Sequence, residues 1–202
     1  FAVRANADVG RFIAVCPEGY APPGTDYNRS WNAEACCGYA SEHGTDDVGF
    51  VRDLMTTLEL TVLPGESVAY PKQKVFAFGH GAGGLLSYRL GCELPERIQG
   101  AGVVGAEWGG ASGGPGGSGT QPPVWTTVCR GKASVWNAIG TTDMFSQGAS
   151  AADEHWKEYS QNVLDCNVSS LVTSAPVPEV ECHEYPSCPG LRRSKLCIFV
   201  GS

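Results

Sequence analysis

Five short runs of apolar residues recur along the chain, and segments with helical periodicity separate them. Apolar runs of this length, bounded by turn residues, are typical of strands buried in a parallel sheet. The alternation of strand and helix patterns predicts an α/β fold: a mostly parallel sheet with helices on both faces. The predicted strands are Arg11–Cys16, Val75–Phe78, Gly102–Ala106, Ser134–Ile139 and Lys195–Gly201.

Three segments have the spacing of amphipathic helices. The clearest follows Thr45, which we expect to cap it, and the two aspartates after Thr45 lie in its positively polarised first turn. The second covers about Ala82 to Leu94, and the third runs roughly from Ala149 to Val163 with Trp156 and Tyr159 on one face. The apolar stripe of the first helix is Val48, Val51, Leu54, Met55 and Leu58.

The turn between the second predicted strand and the helix after it has an informative sequence, Gly79-His80-Gly81-Ala82-Gly83. A strand, a sharp G-x-S-x-G turn and a helix form the nucleophile elbow of serine hydrolases. Here Gly81 stands at the serine position, and glycine has no side chain that can attack a carbonyl carbon. The sequence therefore predicts a serine-hydrolase scaffold that lacks its nucleophile.

Residues 109–123 are rich in Gly, Ser and Pro, which predicts a flexible insertion within a single domain of residues 1–202. The insertion contains a second G-x-S-x-G string, centred on Ser112. No predicted strand leads directly into this string and no helix follows it. We therefore do not expect Ser112 to be a nucleophile, because the motif acts only in its strand–turn–helix setting.

Composition and charge exclude several classes of protein. A chain of 202 residues with 42% hydrophobic and 17% charged residues is typical of one globular domain. The net charge of −7 and the lack of a basic cluster larger than Leu191–Lys195 argue against a nucleic-acid partner. No apolar run approaches the length of a membrane span. No phosphate-binding loop, flavin motif or zinc-ligand spacing occurs, so we expect neither cofactor nor metal.

The nine cysteines predict disulfide bonds and therefore an oxidising compartment. Two N-glycosylation sequons, at Asn28 and Asn167, also favour secretion. Proximity in sequence favours pairing among the last four cysteines, and the adjacent Cys36 and Cys37 are expected to have different partners because a bond between neighbours is strained. The odd cysteine is either a free thiol or bridged elsewhere. The candidates are Cys16, Cys36, Cys37, Cys92, Cys129, Cys166, Cys182, Cys188 and Cys197.

Several motifs in fixed order resemble the secreted polyhydroxybutyrate depolymerase and feruloyl esterase group of α/β-hydrolases. The resemblance is carried by the elbow and by Arg11–Gly19, Ser30–Ala40, Asp46–Val51, Gly140–Asp143 and Cys182–Cys188. It implies that Gly81 occupies the nucleophile position and Asp143 the position of the acid that orients the catalytic histidine. With the serine gone, Asp143 is expected only to hold its loop by accepting backbone N–H bonds.

The resemblance also implies that parts of the machinery fall outside this chain. The catalytic histidine is expected beyond Ser202, and the oxyanion-hole loop and the N-terminal strands of the sheet before Phe1. His80 is expected to pack beside the elbow. The remaining histidines, His43, His155 and His183, are not expected to act as a base.

The sheet of that family implies a gap between Arg11–Cys16 and Val75–Phe78, because another strand lies between their counterparts. Buried backbone does not tolerate unpaired N–H and C=O groups. We therefore expect an N-terminal segment or a protein partner to supply the missing strand.

Together these features lead to two functional hypotheses. The first is a secreted, disulfide-stabilised pseudoenzyme that serves as a structural or binding module of an extracellular or cell-surface assembly, with a groove suited to polysaccharide-like or polyester-like ligands by analogy with the family. The alternative is an active secreted carboxylic ester hydrolase. It requires a serine at position 81 or a longer polypeptide that supplies the missing parts.

Overall fold

The residues that the structure describes form a six-stranded mixed sheet, whose strands are numbered β1 to β6 along the chain with the ranges given at the end of this paragraph and lie in the order β1-β2-β3-β6-β5-β4. A computed structural model describes residues 12–34, 38–61, 74–106, 129, 133–142 and 149–201. The first four strands in this order are parallel, whereas β5 and β4 are antiparallel additions. This confirms the α/β class and the mostly parallel sheet. The strands are β1 Val75–His80, β2 Ile98–Val104, β3 Ser134–Gly140, β4 Val172–Val177, β5 Val180–Cys188 and β6 Arg192–Phe199.

The three predicted helices are confirmed, with end points that differ by a few residues at most. Asp46 rather than Thr45 caps the helix Asp47–Thr61, because the Asp46 carboxylate accepts a hydrogen bond from the Gly49 backbone amide at 2.8 Å. A 3-10 turn at Val168–Ser170 precedes β4. The α-helices of the described residues are α1 Tyr39–Glu42, α2 Asp47–Thr61, α3 Ala82–Glu93 and α4 Ala149–Asn162.

Two features of the strand prediction were wrong. Residues 12–16 lie in no strand, and Arg11 is outside the described residues. An apolar run forms a strand only where a neighbouring strand pairs with its backbone N–H and C=O groups. The run itself carries no information about that neighbouring strand. Conversely, the hairpin of β4 and β5 was not predicted. Every position of β4 is exposed, so no alternation of apolar and polar residues marks it.

The described helices α3 and α4 lie on one face of the sheet, not on both. The parallel strands follow one another in a single direction from β1 through β2 and β3 to β6. Right-handed crossovers that step in one direction place their connections on the same face. Accordingly, Tyr88 of α3 and Trp156 of α4 share one core cluster with Val103 and Leu196 of the sheet. The opposite face carries Phe76, Phe78 and Trp136, all exposed.

Three disulfides join described residues: Cys92–Cys129, Cys166–Cys188 and Cys182–Cys197. The last two confirm the expected pairing among the last four cysteines. Cys16 is free and exposed, while Cys36 and Cys37 lie outside the described residues. The Cys182–Cys197 bond crosses directly between paired positions of β5 and β6, so it fixes the register of the antiparallel part of the sheet.

The turn between β5 and β6 allows a stabilising substitution. Leu191 has a φ of 61° and is 96% exposed, so its side chain gains no packing to offset an unfavourable backbone conformation. We expect Leu191→Gly to raise the free energy of unfolding by about 0.5–1 kcal/mol. Urea titration at constant pH measures this change. The exposed Val168, whose φ is not positive, provides a control: Val168→Gly should not stabilise.

Candidate functional site

The elbow predicted from the sequence lies at the carboxyl end of β1. β1 ends at His80, Gly81 forms the turn, and α3 begins at Ala82. Gly81 has φ 55° and ψ −123°, a conformation that side-chain-bearing residues adopt only under strain. Its N–H donates to the Val104 carbonyl at 2.9 Å and its carbonyl accepts from Leu85 at 3.0 Å. The backbone of the turn is thus held by the neighbouring strand and by the first turn of the helix.

The glycines around the apex serve different purposes. A Cβ on Gly79 would overlap the backbone carbonyl group of Gly83, so only glycine allows the helix to leave the strand this sharply. A Cβ on Gly84 would lie 3.0 Å from Val103 and 3.2 Å from the Gly79 carbonyl oxygen. At Gly81, by contrast, no described atom would lie within 4 Å of a Cβ. The apex therefore faces open space.

The carboxyl ends of the neighbouring parallel strands lie beside this apex. The Gly105 amide donates to Ala138 at the end of β3, and the Thr141 amide donates to Phe199 at the end of β6, each at 2.9 Å. This edge is where ligands bind in open parallel α/β sheets. Asp143, the predicted acid, follows Thr142 along the chain but lies outside the described residues, as do Ser112 and the insertion at 109–123.

A loop ahead of α2 is fastened to the elbow helix by a buried polar cluster that no sequence motif indicated. The backbone N–H of Asn32 donates to the Asp47 carboxylate at 2.5 Å, and the Arg89 guanidinium of α3 donates to the backbone carbonyl of Asn32 at 2.8 Å. Burial raises the pKa of Asp47, against the lowering effects of the Asn32 hydrogen bond and of Arg89. The cluster brings Trp31 to 3.9 Å from the position of a Cβ on Gly83.

The histidines supply no base at the apex among the described residues. His80 is exposed on the same face as Phe76 and Phe78. A residue at the end of an alternating strand points to one face or the other, and position 80 points to the open one. His43 stacks on Tyr39 with ring centroids 3.8 Å apart, and His155 lies within α4.

His183 belongs to a separate cluster that joins β5 to α4. Its Nδ1 lies 2.6 Å from the Asp153 carboxylate and its Nε2 3.0 Å from the Glu181 carboxylate. Burial opposes protonation, but the hydrogen bonds and charges of Glu181 and Asp153 outweigh it and raise the pKa of His183 above 6.5. The protonated ring can donate to both carboxylates at once, so we interpret the cluster of Asp153, Glu181 and His183 as a structural link between α4 and β5 and call it the clamp.

The clamp predicts a pH dependence of stability. Because the pKa of His183 is raised in the folded state, its stabilisation is complete below the ordinary value of 6.5 and is lost as the pH rises through the folded-state value. We therefore expect the difference in thermal midpoint between the parent protein and His183→Gln to be largest below pH 6.5 and to shrink towards alkaline pH. A constant difference across that range contradicts the assignment.

The structure describes both sequon asparagines and can be searched for groups of metal-binding side chains. Asn28 and Asn167 are both exposed, and the Asn167 side chain accepts from the Ser169 amide at 2.9 Å. Within the described ranges, no group of three or more His, Cys, Asp or Glu residues is placed to hold a metal ion. No helix in the same ranges has the length and apolar character needed to cross a bilayer.

Comparison with known sequences finds no match: neither a protein-family model nor a curated protein aligns with the chain.

Proposed function

We propose that this protein is a secreted, disulfide-stabilised module with an α/β-hydrolase-like scaffold that binds rather than hydrolyses, within an extracellular or cell-surface assembly. The observation that carries the proposal is Gly81 at the apex of a strand–turn–helix elbow, with φ 55° and ψ −123°. In active serine hydrolases this position presents the nucleophilic hydroxyl. Glycine offers no atom that could form an acyl intermediate.

The fall in kcat that follows removal of a catalytic serine supports a non-catalytic role. Removing the serine from a working triad lowers kcat by about 10⁶, and the residual catalysis depends on an oxyanion hole and on substrate binding. His80, which precedes Gly81 along the chain, is exposed on the face that carries Phe76 and Phe78. We therefore expect ester turnover at the rate of buffer alone.

Secretion is supported by the three disulfides and the two exposed sequon asparagines. The resemblance points to polysaccharide-like or polyester-like ligands, and the carboxyl edge beside Gly81 is where such a ligand is expected to lie. A strand supplied by an N-terminal segment or a protein partner remains part of this proposal, because β1 ends the described sheet on one side.

The open space at Gly81 favours one alternative, an active secreted carboxylic ester hydrolase. The Cβ of a serine at position 81 would have no described atom within 4 Å, so the turn has space for a serine side chain. This alternative requires that the natural polypeptide carry serine at position 81.

Hydrolysis of p-nitrophenyl acetate distinguishes the two functions. We expect the parent protein and Gly81→Ala to match the buffer rate. Gly81→Ser differs from Gly81→Ala by one hydroxyl group, so a difference in turnover between these two variants reports on that hydroxyl alone. Mass spectrometry of the protein from its source reads residue 81 directly. Turnover by the parent protein that a serine-directed phosphonate abolishes would refute the non-catalytic proposal.

A further inference from the structure

The segment between α4 and β4 holds an exposed turn between two buried anchors. Cys166 is 6% exposed and is bonded to Cys188 of β5, and Leu171 packs against the core. The 3-10 turn Val168–Ser170 lies between these anchors and begins at Asn167, which is its N-terminal cap. The turn is therefore fixed at both ends, while Asn167 and most of the turn are exposed.

Asn167 begins the sequence Asn167-Val168-Ser169, the acceptor pattern for N-linked glycosylation. All three residues are exposed. The carboxamide oxygen of Asn167 accepts a hydrogen bond from the Ser169 backbone N–H at 2.9 Å. This bond turns the carboxamide nitrogen, Nδ2, away from the Ser169 backbone. The atom to which a glycan would be attached therefore points away from the turn.

The second acceptor pattern, Asn28-Arg29-Ser30, differs in the surroundings of its serine. Asn28 is exposed, but Ser30 is half-buried, and its Oγ accepts a hydrogen bond from the Ala40 N–H at 2.9 Å. The backbone of Ser30 also exchanges two hydrogen bonds with Tyr20, each at 3.0 Å. The acceptor pattern requires the serine hydroxyl. At this site that hydroxyl is engaged within the folded protein.

The two sites also differ in when their surroundings can form during synthesis. Ala40, the partner of the Ser30 side chain, lies ten residues from it in the sequence, and a loop of that length closes in about 10–100 ns. The anchor of the Asn167 turn, Cys188, follows Cys166 by 22 residues. The sequence around Asn167 is therefore synthesised well before the disulfide that fixes it can form, which leaves it available to a transferase for longer.

We propose that Asn167 carries an N-linked oligosaccharide and that Asn28 carries little or none. The inference rests on the secretion part of the proposed function, and it does not depend on whether the elbow is catalytic. Nδ2 of Asn167 attacks the anomeric carbon of an oligosaccharide that a pyrophosphate joins to a lipid. An N–C bond forms and the C–O bond to the pyrophosphate breaks. The lipid pyrophosphate leaves with the electron pair, and Nδ2 gives up one proton.

The position of this glycan indicates what it does for the protein. The turn leads through Leu171 into β4, whose six positions are all exposed. Val168 and Val172, on either side of Leu171, are 58% and 52% exposed. An N-linked glycan is bulky and solubilising, so at Asn167 it limits the contact of these apolar side chains with other molecules. We therefore expect its loss to lower the solubility of the protein.

Peptide mass mapping of the protein from its source tests the proposal. An N-glycosidase in water labelled with heavy oxygen converts each glycosylated asparagine into a heavy aspartate, so one digest measures both sites. We expect the label at Asn167 in most chains, and at least about threefold less label at Asn28. Secreted protein with Asn167 unmodified, or with Asn28 modified to an equal or greater extent, would overturn the proposal while secretion stands. Protein that is retained in the cell and unmodified would overturn both.

Two variants, expressed with a secretion signal in a eukaryotic host, separate the acceptor chemistry from the fold of the turn. Ser169→Ala removes the hydroxyl group that the acceptor pattern needs but keeps the backbone N–H that donates to Asn167, so it should abolish the glycan at Asn167. Ser170→Ala is the control, because the Ser170 Oγ donates to the Asn167 carbonyl at 2.7 Å but lies outside the pattern. It should keep the glycan. Circular dichroism establishes that both variants fold. A glycan retained by Ser169→Ala, or lost with Ser170→Ala, would contradict the assignment.

Discussion

Gly79→Ala is expected to destabilise the protein by more than about 3 kcal/mol, whereas Gly81→Ala, two residues away, should cost about 1–3 kcal/mol. The larger cost arises because the methyl group at position 79 would overlap the Gly83 carbonyl group, which α3 cannot move without leaving β1. At position 81 the methyl group meets open space and the cost is that of a positive φ alone. Urea unfolding of both variants at one pH measures the difference.

Gly83→Ala is the matched control for this pair. A Cβ there would lie 3.9 Å from Trp31, an ordinary contact, and alanine is a better helix former than glycine by up to about 1 kcal/mol. We expect this variant to be neutral or more stable than the parent. Equal losses at positions 79 and 81 would show that the turn does not have the geometry described, and with it the assignment of the apex would fail.

Removal of the disulfides is the second change with a large expected effect. Replacing both cysteines of the Cys92–Cys129 pair, separated by 37 residues, should lower the free energy of unfolding by about 4 kcal/mol. Replacing both cysteines of Cys182–Cys197, separated by 15 residues, should lower it by about 3 kcal/mol. The longer loop loses more because its closure constrains the unfolded chain more strongly.

The exposed Cys16 gives the control for these variants, since Cys16→Ser should change the stability by less than about 0.5 kcal/mol. Thiol titration of the unfolded, unreduced protein should not detect any of the six cysteines of the described pairs. Losses below about 1 kcal/mol for both pairs, with the thiols reactive, would contradict the disulfide assignment.

The sequence predicted those parts of the fold that leave a local signature. The β1–Gly81–α3 turn was predictable because its apolar strand, its glycines and its amphipathic helix are contiguous. That the last four cysteines bond among themselves was predictable because they lie close together in the sequence, whereas which cysteine bonds to which was not. Both depend on neighbours along the chain.

The rest depends on contacts between distant residues. Residues 12–16 have the pattern of a strand but lack a ladder partner, whereas β4 has a partner but no pattern. Among the described residues, α3 and α4 both lie opposite the face of Phe76, Phe78 and Trp136 because the crossovers step in one direction, and no single segment encodes that direction. The Asn32–Asp47–Arg89 cluster joins residues from three separate segments, so no spacing in the sequence could indicate it.

Labelling of the parent protein with a fluorophosphonate probe, read by intact mass, tests most directly whether a reactive serine is present. We expect a single unmodified mass under conditions that label an active serine esterase to completion. An adduct of one probe per chain, mapped by peptide sequencing to Ser112 or to any other serine, would contradict it.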